Sequence, residues 1–292
     1  MGLFSKNKIF DNIFKLDDDE LLFKNCITFS YKNIYDDNYI VQGFTISKEF
    51  YLLSAYSKFK SNSRVYIYEK NGIFKNYVEL DNNSHVGGIT FDYLNNILYI
   101  TGSLGRIYAY DYYELISGNV FKYDCSINIR DYIDNASAAT VYFYDNKLYV
   151  CTFDNIGKMV IYDLKVGKNK IIITNSEIID NLPSAIQGVC VYKNKDEIYY
   201  LFSQSYGKIK SVIKLYDSNF RFISQKKLKC IGLEGIDIDY SGNVFGVFEN
   251  GIDKIGKIHI STIRSSLSNF GDKKFSLGAS NFRNRVKKDI EK

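Results

Sequence analysis

Short apolar strands separated by polar turns recur along most of the chain. Five segments open with a polar residue and a small residue before an apolar run: VQGFTIS (41–47), HVGGITFD (85–92), SAATVYFY (137–144), IQGVCVY (186–192) and LEGIDID (233–239). With Gly43, Gly88, Ala139, Gly188 and Gly235 as markers, the segments are spaced by 45, 51, 49 and 47 residues. A period of this length is typical of an array of similar structural units.

Each unit contains further strands after its opening segment. A turn rich in Asn, Asp and Gly follows, and these residues tolerate the backbone angles that a hairpin needs. A second apolar strand comes next, as in ILYITGS and KLYVCTF. The third strand alternates apolar and polar residues, which predicts a half-buried strand. A looser fourth strand closes four of the units: NYVELD, YDCSIN, KIIITN and QKKLK.

Four antiparallel strands per unit predict an all-β fold, namely a five-bladed β-propeller with four-stranded antiparallel blades. The fifth unit lacks a fourth strand after Ile263, and a matching strand, KNCITFSY (24–31), precedes the first unit. We therefore expect the N-terminal strand to complete the last blade. This closure of the ring removes exposed strand edges.

The two ends of the chain differ from the repeats. Apolar residues within 3–16 share one helical face, which predicts a short N-terminal helix that packs on its own domain or, alternatively, lies on a membrane surface. The predicted organisation is thus an amphipathic segment (1–23), a propeller (24–263) and a basic, flexible tail (264–292). A basic and aromatic tail is also compatible with docking to a nucleic acid or an acidic protein.

Composition and charge narrow the class of protein. The 292 residues are 46% hydrophobic and 24% charged, which fits a soluble globular protein and excludes global disorder. The net charge of +5 arises within residues 264–292, because residues 1–263 carry equal numbers of basic and acidic side chains. The net positive charge therefore gives no information about a ligand of the predicted propeller itself.

Cysteine usage and hydropathy bear on location. The five cysteines are far apart and form no CxxC pair, which favours free thiols in a reducing compartment: Cys26, Cys125, Cys151, Cys190 and Cys230. No apolar run reaches the roughly 18 residues of a membrane span, and we identify no signal peptide. We predict a cytoplasmic monomer without a transmembrane segment.

Polar residues at the start of each unit are the main candidates for a binding site. The first strand of each propeller blade lines the central channel, so equivalent positions converge there. The candidates at these positions are Gln42, His85, Ser137, Gln187 and Glu234. They are suited to a small polar ligand or a cation. Alternatively, the small residues serve packing near the axis and the polar ones are hydrated.

The ends of the second strands predict a further ring of side chains near one mouth of the channel. Tyr56, Gln204 and Glu249 occupy these positions. Arg64 and Arg106 open third strands and are expected to face the same mouth. Loops and strand ends on a rigid scaffold commonly carry binding residues.

Motifs for catalysis are missing from the sequence. It contains no GxSxG elbow, P-loop or HExxH segment. Acid–base catalysis needs two titratable groups within reach of each other, and Glu234 with His85 is the best candidate pair. No cofactor is predicted, although calcium or another divalent cation in the channel is compatible with these residues.

The repeat resembles several propeller families. QGFTIS, YLLSAYS, SRVYIYEK, QGVCVY and LEGIDID together resemble the quinoprotein-dehydrogenase-like, lactonase-like propellers of Gram-positive bacteria, over about residues 41–260. The Gln-Gly and Glu-Gly openings are also similar to those of bacterial and plant glutaminyl cyclases, which are five-bladed propellers. A looser similarity is to helveticin-type bacteriocins. These resemblances imply a bacterial propeller and assign no catalytic residue.

The leading functional hypothesis is a non-enzymatic binding module that engages a protein or a small polar ligand through one face or the channel. The alternatives are a cation-dependent hydrolase or glutaminyl-cyclase-like enzyme with its site in the channel, and a bacteriocin-like protein. Nucleic acid is expected as a partner only through the basic tail.

Overall fold

A computed structural model describes residues 27–28, 39–207, 209–248 and 254–259. The amphipathic segment with its predicted helix (1–23) and the basic tail (264–292) lie outside the described residues. The described ranges contain twenty strands, numbered along the chain: β1 (Ile27–Thr28), β2 (Tyr39–Ile46), β3 (Phe50–Ser57), β4 (Arg64–Glu69), β5 (Phe74–Glu79), β6 (Ile89–Asp92), β7 (Ile97–Thr101), β8 (Ile107–Asp111), β9 (Asp124–Cys125), β10 (Ala138–Tyr144), β11 (Lys147–Thr152), β12 (Gly157–Val166), β13 (Lys170–Leu182), β14 (Ile186–Asn194), β15 (Glu197–Tyr206), β16 (Ile209–Tyr216), β17 (Phe222–Ile231), β18 (Leu233–Ile238), β19 (Asn243–Phe248) and β20 (Lys254–His259).

The strands form five sheets within the described ranges. The spatial orders are β2-β3-β4-β5, β6-β7-β8, β10-β11-β12-β13-β9, β14-β15-β16-β17 and β18-β19-β20-β1. Neighbouring strands are antiparallel except for β13 and β9, which are parallel. We refer to these as the first to fifth sheets.

The first strands of the sheets surround a common axis. β2, β6, β10, β14 and β18 contact one another in that order, and β18 returns to contact β2. Sheets arranged radially around their first strands constitute a propeller-like, all-β architecture.

The last sheet combines strands from both ends of the described chain. Ile27 lies opposite Ile255, and Thr28 lies opposite Lys254. β1 is therefore the outer strand next to β20, as the sequence predicted for the segment 24–31. This pairing covers the edge that β20 would otherwise expose.

The second sheet departs from the predicted four-stranded pattern. After β8 the chain forms a short helix, α1 (Tyr112–Ser117), because the Asp111 side chain accepts a hydrogen bond from the Glu114 backbone N–H. Gly118 then ends the helix with a φ of 100°. The predicted fourth strand YDCSIN instead supplies β9 to the third sheet. Lys122, just before this segment, pairs with Tyr110 of β8, and Asn128 at its end pairs with Arg106, just before β8.

The third strand of the first sheet is more buried than its alternation predicted. In β4, five of the six residues are buried, whereas the outer strand β5 keeps alternating exposure. The cause is that neighbouring sheets cover both faces of the inner strands. Aromatic pairs join adjacent sheets, with ring centroids 5.9 to 6.1 Å apart: Tyr99 with Phe143, Tyr149 with Tyr200, and Phe44 with Phe245.

Two features relate to the predicted cytoplasmic location, namely the state of the cysteines and the length of the helices. Cys125, Cys151 and Cys190 are free thiols, and the last two are buried. Burial raises the pKa of Cys125 to about 11 and the pKa of Cys151 still further. In the part of the chain that the structure describes, no helix is long and apolar enough to cross a membrane. The cytoplasmic location stays a prediction.

Candidate functional site

A cavity lies at the end of the ring where the first strands begin. Its volume is about 140 Å³. Five of the residues predicted from the sequence line it: Gln42, Tyr56, His85, Ser137 and Gln187. They come from the first four sheets or from the segments that lead into them. We call this the entry cavity.

Close packing between first strands holds these residues near the axis. A Cβ atom on Gly88 would lie 2.6 Å from the backbone N of Val141 in the next sheet. A Cβ atom on Gly235 would lie 2.7 Å from the backbone N of Phe44. Only glycine permits such approaches. The small residues of the repeat therefore serve packing, as one of the two sequence interpretations proposed.

The two glutamines of the cavity are held by backbone carbonyl groups. Gln42 is 1% exposed, and its Nε2 donates to the Val41 carbonyl oxygen over 3.0 Å. Gln187 Nε2 donates to the Ser205 carbonyl oxygen over 3.5 Å. A side-chain amide can make four hydrogen bonds, so each glutamine retains capacity toward the cavity.

His85 and Tyr56 form an aromatic wall of the entry cavity. Their rings stack with centroids 4.3 Å apart and an interplanar angle of 24°. The next residue, Val86, has a φ of 47°, a conformation that is unfavourable for a β-branched side chain. Its carbonyl oxygen accepts a hydrogen bond from Ser54 Oγ over 2.8 Å, and its side chain is buried. The strained backbone of Val86, next to His85, is thus held by its carbonyl hydrogen bond and by its buried side chain.

The charged residues that line the entry cavity among the described positions are basic. Arg130 lies in a 3-10 turn (Ile129–Asp131) whose start is capped by Asn128, and Arg130 Nε donates to the Ala136 carbonyl oxygen over 2.9 Å. Lys60 is the second basic side chain at the cavity. An anionic group would therefore find positive charge here together with amide and hydroxyl donors.

The fold comparisons identify the architecture. No protein-family model matches the chain, and no curated protein sequence matches it. The crystal structure of Myxococcus xanthus glutaminyl cyclase superposes with a TM-score of 0.50 at 10% sequence identity, covering 80% of this chain and 94% of that chain. The chain is a β-propeller. At this identity the similarity shows the fold alone.

Two further solved structures are similar to the propeller at lower scores. An auxiliary nutrient binding protein from Bacteroides thetaiotaomicron gives a TM-score of 0.48 at 14% identity, covering 74% of this chain and 58% of that chain. The Myceliophteria thermophila Cps50 (Swd1) β-propeller domain gives 0.41 at 8% identity, with coverages of 72% and 62%. The resemblance to quinoprotein-dehydrogenase-like propellers stays a prediction.

Two of the predicted site residues that the structure describes, Gln204 and Glu234, do not line the entry cavity. Gln204 is buried, and its Nε2 donates to the Ser184 carbonyl oxygen. Glu234 is 3% exposed and lies on β18. Glu249 lies outside the described residues. His85 of the predicted acid–base pair lines the entry cavity, and Glu234 does not. A catalytic role for the pair stays a prediction.

Arg64 is also placed differently from its prediction. Its guanidinium lies 4.1 Å from the ring centroid of Tyr39 and 4.0 Å from that of Tyr77. Arg64 Nη2 donates to Glu79 Oε1 over 2.7 Å. This packing within the first sheet takes Arg64 away from the entry cavity, because stacking and ion pairing hold the guanidinium between strands.

Arg130 and Lys60 are lining residues that the sequence did not single out. Both lie in connections between strands, where no repeat pattern marks them. The sequence gives one indication that the connection containing Arg130 is unusual. The interval between Gly88 and Ala139 is 51 residues, the longest of the four, and it contains both α1 and the 3-10 turn.

Metal ligands were a further expectation for the channel. In the described ranges, no group of three or more His, Cys, Asp or Glu side chains is placed to hold a metal ion. The divalent cation stays a prediction.

Proposed function

We propose that the protein is a five-bladed β-propeller that binds a small polar ligand carrying an anionic group in the entry cavity, without chemically converting it. Five sheets whose first strands contact one another in a closed cycle support the number of blades. The binding role rests on one observation, namely that polar side chains from the first four sheets meet at a single cavity.

The size and charge of the entry cavity support the class of ligand. A cavity of about 150 Å³ accommodates a benzene-sized molecule, so the 140 Å³ here suits a ligand of comparable size. Arg130 and Lys60 provide charge for a carboxylate, and Gln42, Gln187 and Ser137 provide neutral donors and acceptors. The Tyr56–His85 stack offers an apolar surface beside them.

Binding is tested with the full chain and a panel of carboxylates that are no larger than benzene, namely acetate, lactate and pyruvate. Glycerol and ethylamine serve as the uncharged and cationic probes. We expect at least one carboxylate to bind by isothermal titration calorimetry. The Arg130→Gln variant should bind it about tenfold more weakly, because a hydrogen bond from a charged donor is lost.

Arg221→Gln is the matched control, since Arg221 is an exposed arginine in the turn before β17. Its affinity should equal that of the unchanged protein. Equal affinity in Arg130→Gln, or preferential binding of ethylamine, would contradict the anion site. Turnover of a peptide with an N-terminal glutamine, or of a lactone, would contradict the non-enzymatic role.

A further inference from the structure

A second, larger cavity occupies the opposite end of the ring. Its volume is about 630 Å³. It is lined where the first strands end and hairpin turns follow, so it shares no lining residue with the entry cavity. We call it the opposite cavity. Pockets of this size commonly hold ligands as large as a di- or trisaccharide.

Aromatic rings form a continuous wall from the rim of the opposite cavity to its floor. Tyr240 is 87% exposed, and its ring centroid lies 5.9 Å from that of Tyr93. Tyr93 in turn lies 4.7 Å from Phe91, which is 2% exposed. The three rings contact one another edge to face, with interplanar angles of 60° and 67°, so the exposed Tyr240 ring is accessible to a ligand at the rim while the floor stays packed. The negative face of an aromatic ring attracts polarised C–H groups like those of a sugar ring.

The charges around the opposite cavity balance. Three lysines and three aspartates line it: Lys48, Lys70, Lys193, Asp145, Asp237 and Asp239. A lining without net charge disfavours selection of an ion by long-range attraction.

Two aspartates and one lysine that line the opposite cavity already have internal partners. Asp237 Oδ2 accepts from Thr45 Oγ1 over 2.9 Å and from the Ile46 backbone N over 2.7 Å. Asp239 Oδ1 accepts from two backbone N–H groups of its own turn. Lys70 Nζ donates to the Ser47 carbonyl oxygen over 2.8 Å. An ionic ligand would have to compete with these bonds, and breaking them inside the protein is costly.

Exposed polar groups at the rim include both a donor and an acceptor for hydrogen bonds. Lys193 and Asp145 are both exposed and both line the cavity. Sugar hydroxyl groups donate and accept at once, so they can bond to both side chains.

From the aromatic wall, the balanced charge and the internally bonded carboxylates, we propose that the opposite cavity binds a neutral saccharide. Tyr240 and Tyr93 pack against the sugar ring, and Lys193 and Asp145 bond to its hydroxyl groups. This site is independent of the anion site proposed at the entry cavity.

The test measures saturation-transfer NMR and affinity for the full chain with glucose, maltose, cellobiose and chitobiose. Tetramethylammonium and citrate serve as the cationic and anionic probes. We expect at least one of the saccharides to bind. The Tyr240→Ala variant should bind about tenfold more weakly, the contribution of one aromatic contact. Because Tyr240 is exposed, this variant should fold normally, which its thermal unfolding checks.

Tyr113→Ala is the matched control, since Tyr113 is a half-exposed tyrosine on α1 and does not line the cavity. It should leave saccharide affinity unchanged, and so should Arg130→Gln at the entry cavity. The proposal would be overturned by failure of all four saccharides to bind, by undiminished binding to Tyr240→Ala, or by tetramethylammonium or citrate displacing the saccharide from the aromatic wall.

Discussion

Asp237 is a buried carboxyl group that joins the first strands of the last and first sheets. It lies on β18, and its hydrogen bonds to Thr45 and Ile46 reach β2. Burial raises the pKa of Asp237 to about 6, and hydrogen bonds from Ile46 and Thr45 and the charge of Lys70 oppose part of this rise. Ionisation of Asp237 therefore lowers the free energy of unfolding, although its hydrogen bonds join β18 to β2.

The pKa of Asp237 predicts a pH-dependent free energy of unfolding. Its folded value of about 6 exceeds the usual 3.8, so the folded state holds the proton more tightly. The resulting stabilisation is present below about pH 4 and is lost as pH rises through about 6, a change of about 3 kcal/mol. Asp237→Asn stays neutral and keeps an acceptor for Thr45 and Ile46. Its stability relative to the unchanged protein should rise across this window in urea unfolding.

Asp134→Asn provides the comparison for that experiment, because Asp134 is an exposed aspartate in a turn. We expect its unfolding free energy to follow that of the unchanged protein from pH 4 to pH 7. A constant difference between Asp237→Asn and the unchanged protein over the same range would show that Asp237 does not titrate there.

The sequence predicted the polar residues of the entry cavity better than the charged ones. Gln42 and Gln187 occupy equivalent positions of the repeat, so their convergence follows from ring geometry. Arg130 reaches the same cavity from a connection that has no counterpart in other units. A local sequence pattern predicts which strand a residue belongs to. The direction of a loop depends instead on the sheets that the loop joins.

At the scale of elements, the outer strands are less regular than the inner ones. Burial on both faces gives inner strands a strong apolar pattern, whereas an outer strand such as β5 alternates between partly buried and exposed residues and has a weaker pattern. This explains why α1 and β9 take the place of a fourth strand in the second unit. The prediction of strand order was correct where apolar runs were long, as in β14 and β15.

The strand β1 provides the element-scale prediction. Compared with a chain that begins at residue 24, a chain that begins at residue 31 lacks Ile27 and Thr28 and leaves the outer edge of β20 unpaired. The shorter chain should lose about 2 kcal/mol of unfolding free energy, because each backbone hydrogen bond contributes about 1 kcal/mol. It should also self-associate through the exposed edge. Urea unfolding and light scattering measure the two effects.

The longer truncated chain controls for removal of the preceding residues, since it retains β1. If both truncated chains unfold at the same urea concentration and remain equally monomeric, β1 does not contribute to closure of the sheet.

For the whole molecule, the contact between the first and fifth sheets closes the ring. Phe44 and Phe245 stack with centroids 6.1 Å apart, and Tyr51 lies 5.8 Å from Phe245. All three side chains are buried. Because each sheet packs on two neighbours, loss of this contact would leave two faces uncovered, and the sheets should unfold together.

Phe245→Ala tests this cooperativity. The cavity left at the closing contact should lower the unfolding free energy by about 4 kcal/mol. The urea transitions followed by far-UV circular dichroism and by tyrosine fluorescence should shift together. Phe222→Ala removes a partly exposed phenylalanine of an outer strand and should have a much smaller effect. Separate transitions for the two probes in Phe245→Ala would mean that the sheets unfold independently.

By itself the sequence determined the strands, their repetition and the N-terminal strand that completes the last sheet, because strand formation follows from nearby residues and turn chemistry. The tertiary structure decided which distant side chains meet. Gln42 and Gln187 line one cavity, and Thr45 donates to Asp237 across 192 residues of chain. Such contacts depend on how sheets pack around the axis. That packing results from the interlocking of buried side chains and glycine backbones, which no local pattern specifies.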